Sequence, residues 1–322
     1  MRWLVIAALL FGMGGVWAQA PIVRRPPVAD GPQAPQTNEA DVPTIKVETR
    51  LVNVALNVVD AKGAPVGGLG RDDFQILEDG QPQKIAIFEK ESSTPLSIVL
   101  AIDVSESVLT NERLEKEAAK HFVRALLRDQ DELDLMEFAD VVREIVPFTN
   151  EKKRIEVGLN EMQRGDATAL YDAVYLASQK LDTTSAANGR RRVIVLITDG
   201  GDTVKGSKYM QALEQAQRAG AMVYSIIIVP IYADAGRNTG GEHALIQLAE
   251  DTGGKYYYVV DPQDLEPAFA HVSDDLRTQY LLGYYAPKRG TDNSFRTIRV
   301  RMKDAALPYQ LQYRKGYYAD AR

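Results

Sequence analysis

The stretch 96–107 reads Leu-Ser-Ile-Val-Leu-Ala-Ile-Asp-Val-Ser-Glu-Ser. Its apolar run stops abruptly at Asp103, and Ser105 and Ser107 follow at alternating positions. The run is too short to cross a membrane. Bounded by a polar turn, it reads as a strand buried on both faces of a parallel sheet. Asp103 then stands at the strand's carboxyl end, where ligands of open α/β sheets bind. Oxygen-bearing side chains this close together, with no Cys or His beside them, suit a hard divalent cation. A Ser-rich turn whose Asp or Ser caps the next helix has the same composition. On residues 103–107 alone, both readings stand.

The chain around this strand alternates strands and helices. An amphipathic helix is expected at about 111–127, with Leu114, Ala118, Phe122, Ala125 and Leu126 on its inner face. Two strands, 132–138 and 141–148, are joined so tightly that they must be antiparallel. A helix at 152–162 leads to Gly165-Asp-Ala-Thr-Ala-Leu-Tyr-Asp172, which opens another helix running to about 181. A second apolar strand at 192–198 stops at Asp199-Gly-Gly-Asp202. Helices at 208–219, 242–250 and 263–276 and strands at 222–229 and 255–259 complete the series. This order implies a mostly parallel, doubly wound α/β sheet with helices on both faces.

Both flanks have β texture. Val52, Val54, Leu56 and Val58 alternate with Asn53, Ala55 and Asn57, the pattern of a half-buried strand. Asp79-Gly80 between two alternating runs marks a hairpin. The tail offers strands at 280–285, 295–302 and 309–314. Neither flank can bury its apolar face alone, so 45–94 and 278–322 are expected to pair into one β-sandwich with the α/β domain, 95–277, inserted between them.

The start of the chain reads differently. Arg2, an apolar stretch over 4–17 and Ala18-Gln19-Ala20 have the layout of a cleaved secretory signal, 1–20. Residues 21–44, rich in Pro, Gln, Ala and Gly, form a tether. With no Cys in the chain, neither a disulfide framework nor a thiolate metal site is available. These features point to a secreted or periplasmic bacterial protein without a membrane span after signal cleavage. A net charge of −6 and the lack of a dense Lys/Arg stripe argue against nucleic acid as partner. Arg190-Arg191-Arg192 reads as a solvated turn before the second apolar strand.

Two further strand-end loops reweigh the stretch 103–107. One presents Thr168 and the other Asp199, in Thr198-Asp199-Gly200. D-x-S-x-S, a lone Thr about sixty residues on, and a strand ending T-D-G resemble the von Willebrand factor type A (VWA) family over roughly 95–277. The phrases Phe74…Glu78-Asp-Gly80, Tyr280-Leu-Leu-Gly-Tyr-Tyr285 and Arg314-Lys-Gly-Tyr-Tyr318 resemble the flanks of a secreted subgroup typical of acidobacteria. The resemblance implies a metal-ion-dependent adhesion site built by Asp103, Ser105, Ser107, Thr168 and Asp199. Ser105 and Ser107 would ligate directly, Thr168 directly or through water, and Asp103 and Asp199 through water or as supporting acceptors. Mg²⁺ is the expected ion, with Mn²⁺ or Ca²⁺ as alternatives. The expected partner is a protein that offers an Asp or Glu carboxylate. In the family's adhesion receptors the last helix moves with metal occupancy, which implies a two-state element at 263–276. Glu106 departs from the pattern, since Gly is common between the serines. It reads as a solvated helix-start acid or as a charge that tunes partner approach.

Enzyme motifs are missing from the sequence: no G-x-S-x-G elbow, no P-loop and no H-E-x-x-H. His121, His243 and His271 are isolated, and Gly240-Gly-Glu-His243 reads as a helix cap. Asp140, Asp166 and Asp202 are not assigned as ligands. The rival readings are an envelope scaffold that binds through its β-sandwich and a metal-assisted hydrolase, the latter without an evident general base.

Overall fold

The computed structural model describes residues 49–90, 93–105, 112–185, 189–229, 238–287 and 293–320. The leader and tether expected at 1–44 lie outside the described residues, as do Glu106 and Ser107.

The first strand, β1 (Thr49–Val59), buries Val52, Val54, Leu56 and Val58 on one face, as its alternation requires. Asn57 on the other face is buried too, because that face lies against the α/β body. Next come β2 (Phe74–Glu78) and β3 (Gln81–Gln83), joined at Asp79-Gly80. Both turn residues have positive φ, 46° and 79°, so the tight turn carries the twist that paired strands need. The Asp79 carboxylate also accepts the Thr297 amide at 2.9 Å, tying the hairpin to the C-terminal flank. The strand β4 (Ile85–Glu89) ends the N-terminal flank.

The α/β body opens with β5 (Leu96–Asp103), every residue of which is buried. It continues through α1 (Glu112–Leu126), β6 (Glu132–Phe138), β7 (Val142–Thr149), α2 (Lys152–Glu161), α3 (Leu170–Ser185) and β8 (Arg191–Thr198). It closes with α4 (Tyr209–Ala219), β9 (Ala221–Ile228), α5 (Thr239–Thr252), β10 (Tyr256–Val259) and α6 (Leu265–Thr278). Among the described residues the sheet order is β10-β9-β8-β5-β6-β7, parallel throughout except for β7. Side chains of α1, α2 and α6 fill one face, and those of α3, α4 and α5 the other. In the first layer Phe122 stacks on Phe269 with ring centroids 4.5 Å apart. Full burial of each such ring stabilises the fold by about 1.5–3 kcal/mol.

The C-terminal flank supplies β11 (Tyr280–Pro287), β12 (Phe295–Met302), β13 (Gln310–Gln312) and β14 (Gly316–Tyr318). These strands interleave with the N-terminal ones into two sheets, β13-β1-β11-β4 and β14-β12-β2-β3. Their inner faces share one core that includes Leu56, Phe74, Ile76, Leu282, Tyr284 and Val300. The α/β domain is thus inserted into a β-sandwich made from both ends of the chain. Inside that core Glu78 is buried and accepts the hydroxyls of Tyr284 (2.6 Å) and Tyr317 (2.9 Å).

Two sequence expectations are corrected. Arg190–Arg192 is no solvated turn: β8 begins at Arg191, which is buried and donates to Gln279 and Leu276 at the end of α6. Gly240 to His243 does not cap α5 but lies within its first turns. The cap is Asn238, whose side chain accepts the Gly241 amide at 2.9 Å.

Candidate functional site

Three loops meet at the carboxyl rim of the central sheet: those after β5 and β8 leave its strands, whereas the loop that carries Thr168 runs from α2 to α3 and is no strand-end loop. The loop after β5 begins with Asp103, fully buried at the strand end. One of its carboxylate oxygens accepts the Ser105 amide at 2.9 Å, and the other accepts the Thr198 hydroxyl at 2.6 Å. The Asp103 carboxylate therefore bridges β5 and β8 and fixes the backbone that carries Ser105. Burial is the main reason its carboxyl is pushed up to about 6. Hydrogen bonds from Ser105 and Thr198 oppose that shift, and the negative charge of nearby Asp199 adds to it.

Thr168 arrives from the turn before α3. Gly165 makes a parallel bridge to Ser105, and its amide donates to the Val104 carbonyl at 3.2 Å. The Ala169 amide donates to the Ala139 carbonyl at 2.8 Å, which closes the other side of the turn. Thr168 is buried, and its amide donates to the Thr203 hydroxyl at 2.8 Å while its carbonyl accepts the Thr203 amide at 2.9 Å. The second and third loops are thereby sewn together.

Asp199 heads the third loop and is partly exposed. Its carboxylate accepts the Gly201 amide at 3.3 Å. Gly200 has φ +87°, a conformation that side chains rarely adopt, and its backbone presses on the first turn of α5. A Cβ at Gly241 would come within 1.6 Å of the Gly200 carbonyl oxygen, so only glycine allows this contact. Asp202 accepts the Tyr171 amide at 3.2 Å, and Asp140 accepts that of Asp166 at 3.0 Å. Asp202 thus ties the third loop to the start of α3, and Asp140 ties the β6–β7 turn to the loop that carries Thr168.

Asp103, Ser105, Thr168 and Asp199 therefore share one rim, and Ser107 lies outside the described residues. Thr198 was not among the candidates read from sequence. Its position in T-D-G was visible, but only the parallel register of β5 and β8 shows that its hydroxyl reaches Asp103. The donor set is all oxygen, hydroxyls and carboxylates, which fits a hard divalent cation. Among the described residues, no group of three or more His, Asp or Glu side chains is placed to hold a metal. An ion at this rim would thus rely on hydroxyl oxygens as well as carboxylates.

A mostly parallel, helix-covered sheet with oxygen-bearing loops at its carboxyl rim defines a class of ligand-binding α/β domain. The von Willebrand factor type A domain matches residues 97–271, and the chain belongs to that family. No curated protein matches the chain. Among solved structures it is similar to an aerotolerance-related membrane protein from Bacteroides fragilis, at 21% identity over 56% of this chain and 98% of that one, TM-score 0.44. It is also similar to proximal thread matrix protein 1 from the mussel byssus with a zinc-occupied MIDAS motif, at 18% identity over 58% and 49%, TM-score 0.46. A third is the pilus adhesin SpaC from Lactobacillus rhamnosus GG, at 12% identity over 76% and 47%, TM-score 0.47. Among the described residues, no helix is long and apolar enough to cross a membrane.

Proposed function

We propose that the chain is a secreted protein-interaction module whose rim holds a divalent cation, Mg²⁺ first among the options, and takes a carboxylate from a protein partner. The observation that carries this reading is the engagement of both Asp103 oxygens, by the Ser105 amide and the Thr198 hydroxyl, where the three loops meet. With its oxygens so occupied, Asp103 serves to position Ser105. Ser105, Ser107 and Thr168 would be the direct ligands, with Asp199 acting through water. When bound, the ion supplies a Lewis-acid position that completes its shell with an incoming Asp or Glu carboxylate. The role is binding and not catalysis.

Partner capture from the native cell envelope, run in Mg²⁺ and in EDTA, tests the proposal. Capture should be lost in EDTA, and Ser105→Ala should reproduce that loss in Mg²⁺ while leaving the circular dichroism spectrum unchanged. Capture that is indifferent to both would instead support a scaffold binding through its β-sandwich.

A further inference from the structure

At the opposite end of the central sheet from Asp103, about 25 Å away along the strands, a cleft of about 470 Å³ separates the sandwich from the α/β body. A cleft of that size, at a boundary between substructures, is typical of small-ligand sites. Arg190, Arg191, Arg192, Arg218 and Arg314 line it with one carboxylate, Glu89; of these, Arg218 is already paired with Glu214 and Asp320, and Arg190 lies 3.9 Å from Glu132. Ile87, Met222 and Leu281 supply apolar wall.

Arg191 is the telling residue. It is 7% exposed, and its guanidinium donates to the Gln279 side chain and to the Leu276 carbonyl at 2.8 Å, both uncharged acceptors. Its Nε has no hydrogen-bond partner. Asp131, whose charge reaches Arg191, is already bound to Arg277 and to the amides of Leu96 and Arg128. Burial pulls the guanidinium down to about 10, so it stays charged at neutral pH. A buried cation facing only neutral acceptors is costly unless an anion offsets it. Arg192, next to it, is held by the Ala219 carbonyl, with the nearest Asp182 oxygen 3.7 Å away.

We infer that this cleft is a binding site for a small organic anion, whose carboxylate or phosphate group meets the arginine-lined side and whose carbon skeleton lies on the Ile87–Leu281 wall. The site is independent of the metal rim and of the protein partner proposed there.

Calorimetric titration of the full secreted chain with citrate and with inorganic phosphate, at constant ionic strength set by NaCl, tests it. Saturable binding of citrate alone identifies a carboxylate ligand, binding of phosphate alone a phosphate ligand, and binding of both the shared chemistry; each outcome supports the site. Arg192→Gln should weaken that binding roughly tenfold or more, the loss expected for a charge-assisted contact. Arg191→Met should abolish it, with a lower melting temperature in anion-free buffer because the Gln279 and Leu276 acceptors lose their donor. Should Arg191→Met fail to fold, Arg192→Gln decides. Heats no larger than those of NaCl dilution for both probes, or affinities unchanged in Arg192→Gln, would overturn the inference. Ser105→Ala should bind the same probes as the unsubstituted chain.

Discussion

Asp134 shows how a single buried side chain contributes to the pH response of the fold. It lies on β6 with no exposed surface, and no donor hydrogen-bonds to either carboxylate oxygen. Lys180 stops 4.0 Å short and pairs at 2.5 Å with Glu144 instead. Burial first, then the neighbouring Glu144, pushes the Asp134 carboxyl up to about 8. In the unfolded chain the same group titrates near about 3.9. Between those values the folded state binds more protons than the unfolded one, so the contribution of this residue to stability falls as pH rises and levels off above the upper value. Glu144, held below its usual range mainly by its contact with Asp134, acts only at more acid pH. Asp134→Asn is neutral throughout and removes this residue's share of the slope, leaving that of Asp103. Its stability advantage over the parent should widen from about pH 4 to about pH 8 and then stay constant, read as urea midpoints at three pH values. A gap that does not change with pH would refute this account.

At the scale of elements, α6 carries the family-based expectation of a helix that moves with metal occupancy. Its C-terminal half is tied down heavily. Asp275 pairs with Lys255 at 2.6 Å and accepts the Tyr257 hydroxyl. Arg277 donates to the Leu126 carbonyl at 2.6 Å and to Asp131, and the Leu276 carbonyl accepts Arg191. Breaking one buried ion pair costs about 3–5 kcal/mol, more than the 1–3 kcal/mol of typical coupling between sites. Amide exchange over 272–278 should therefore be the same in Mg²⁺ and in chelator. Asp275→Asn, which cuts the Lys255 pair, should speed exchange there at least several-fold. Mg²⁺-dependent protection of this segment in the unsubstituted chain would show that the helix does move.

Element types were legible wherever burial is periodic or complete. The run ending at Asp103 is the central strand, the Asp79-Gly80 hairpin forms, and the flanks interleave into a sandwich. What stayed hidden depends on contacts between distant segments. The partner of Asp103 is Thr198, from a strand 95 positions away. The burial of Arg191 depends on the end of α6, whose Gln279 and Leu276 accept its guanidinium, and a triplet of arginines in isolation carries no trace of that contact. Asn57 reads as an outward position in its alternation, yet its face is the one against the body.

That same Asn57 shows how the whole molecule is joined. Its side-chain amide donates to the Tyr224 hydroxyl of β9 at 3.3 Å, and Gln279, at the exit from α6, donates to the same hydroxyl at 3.2 Å. Gln279 in turn accepts Arg191 from β8. One fully buried phenol thus receives the sandwich from one side and the end of the last helix from the other. Burial pushes this hydroxyl well above the usual tyrosine range, so it remains a neutral phenol at any physiological pH. Tyr224→Phe keeps the ring and its packing but leaves two buried amide donors without their acceptor. Each such donor costs about 1–3 kcal/mol, so the substitution should destabilise the protein by about 2–4 kcal/mol after partial relaxation. Because the Asn57 contact joins the sandwich to the α/β body, the damage should also lower cooperativity. Calorimetry should show one transition in the unsubstituted chain and a broadened or split one in Tyr224→Phe, with the van't Hoff enthalpy falling below the calorimetric value. A single sharp transition at an unchanged temperature would mean that the apolar contacts alone unite the two parts.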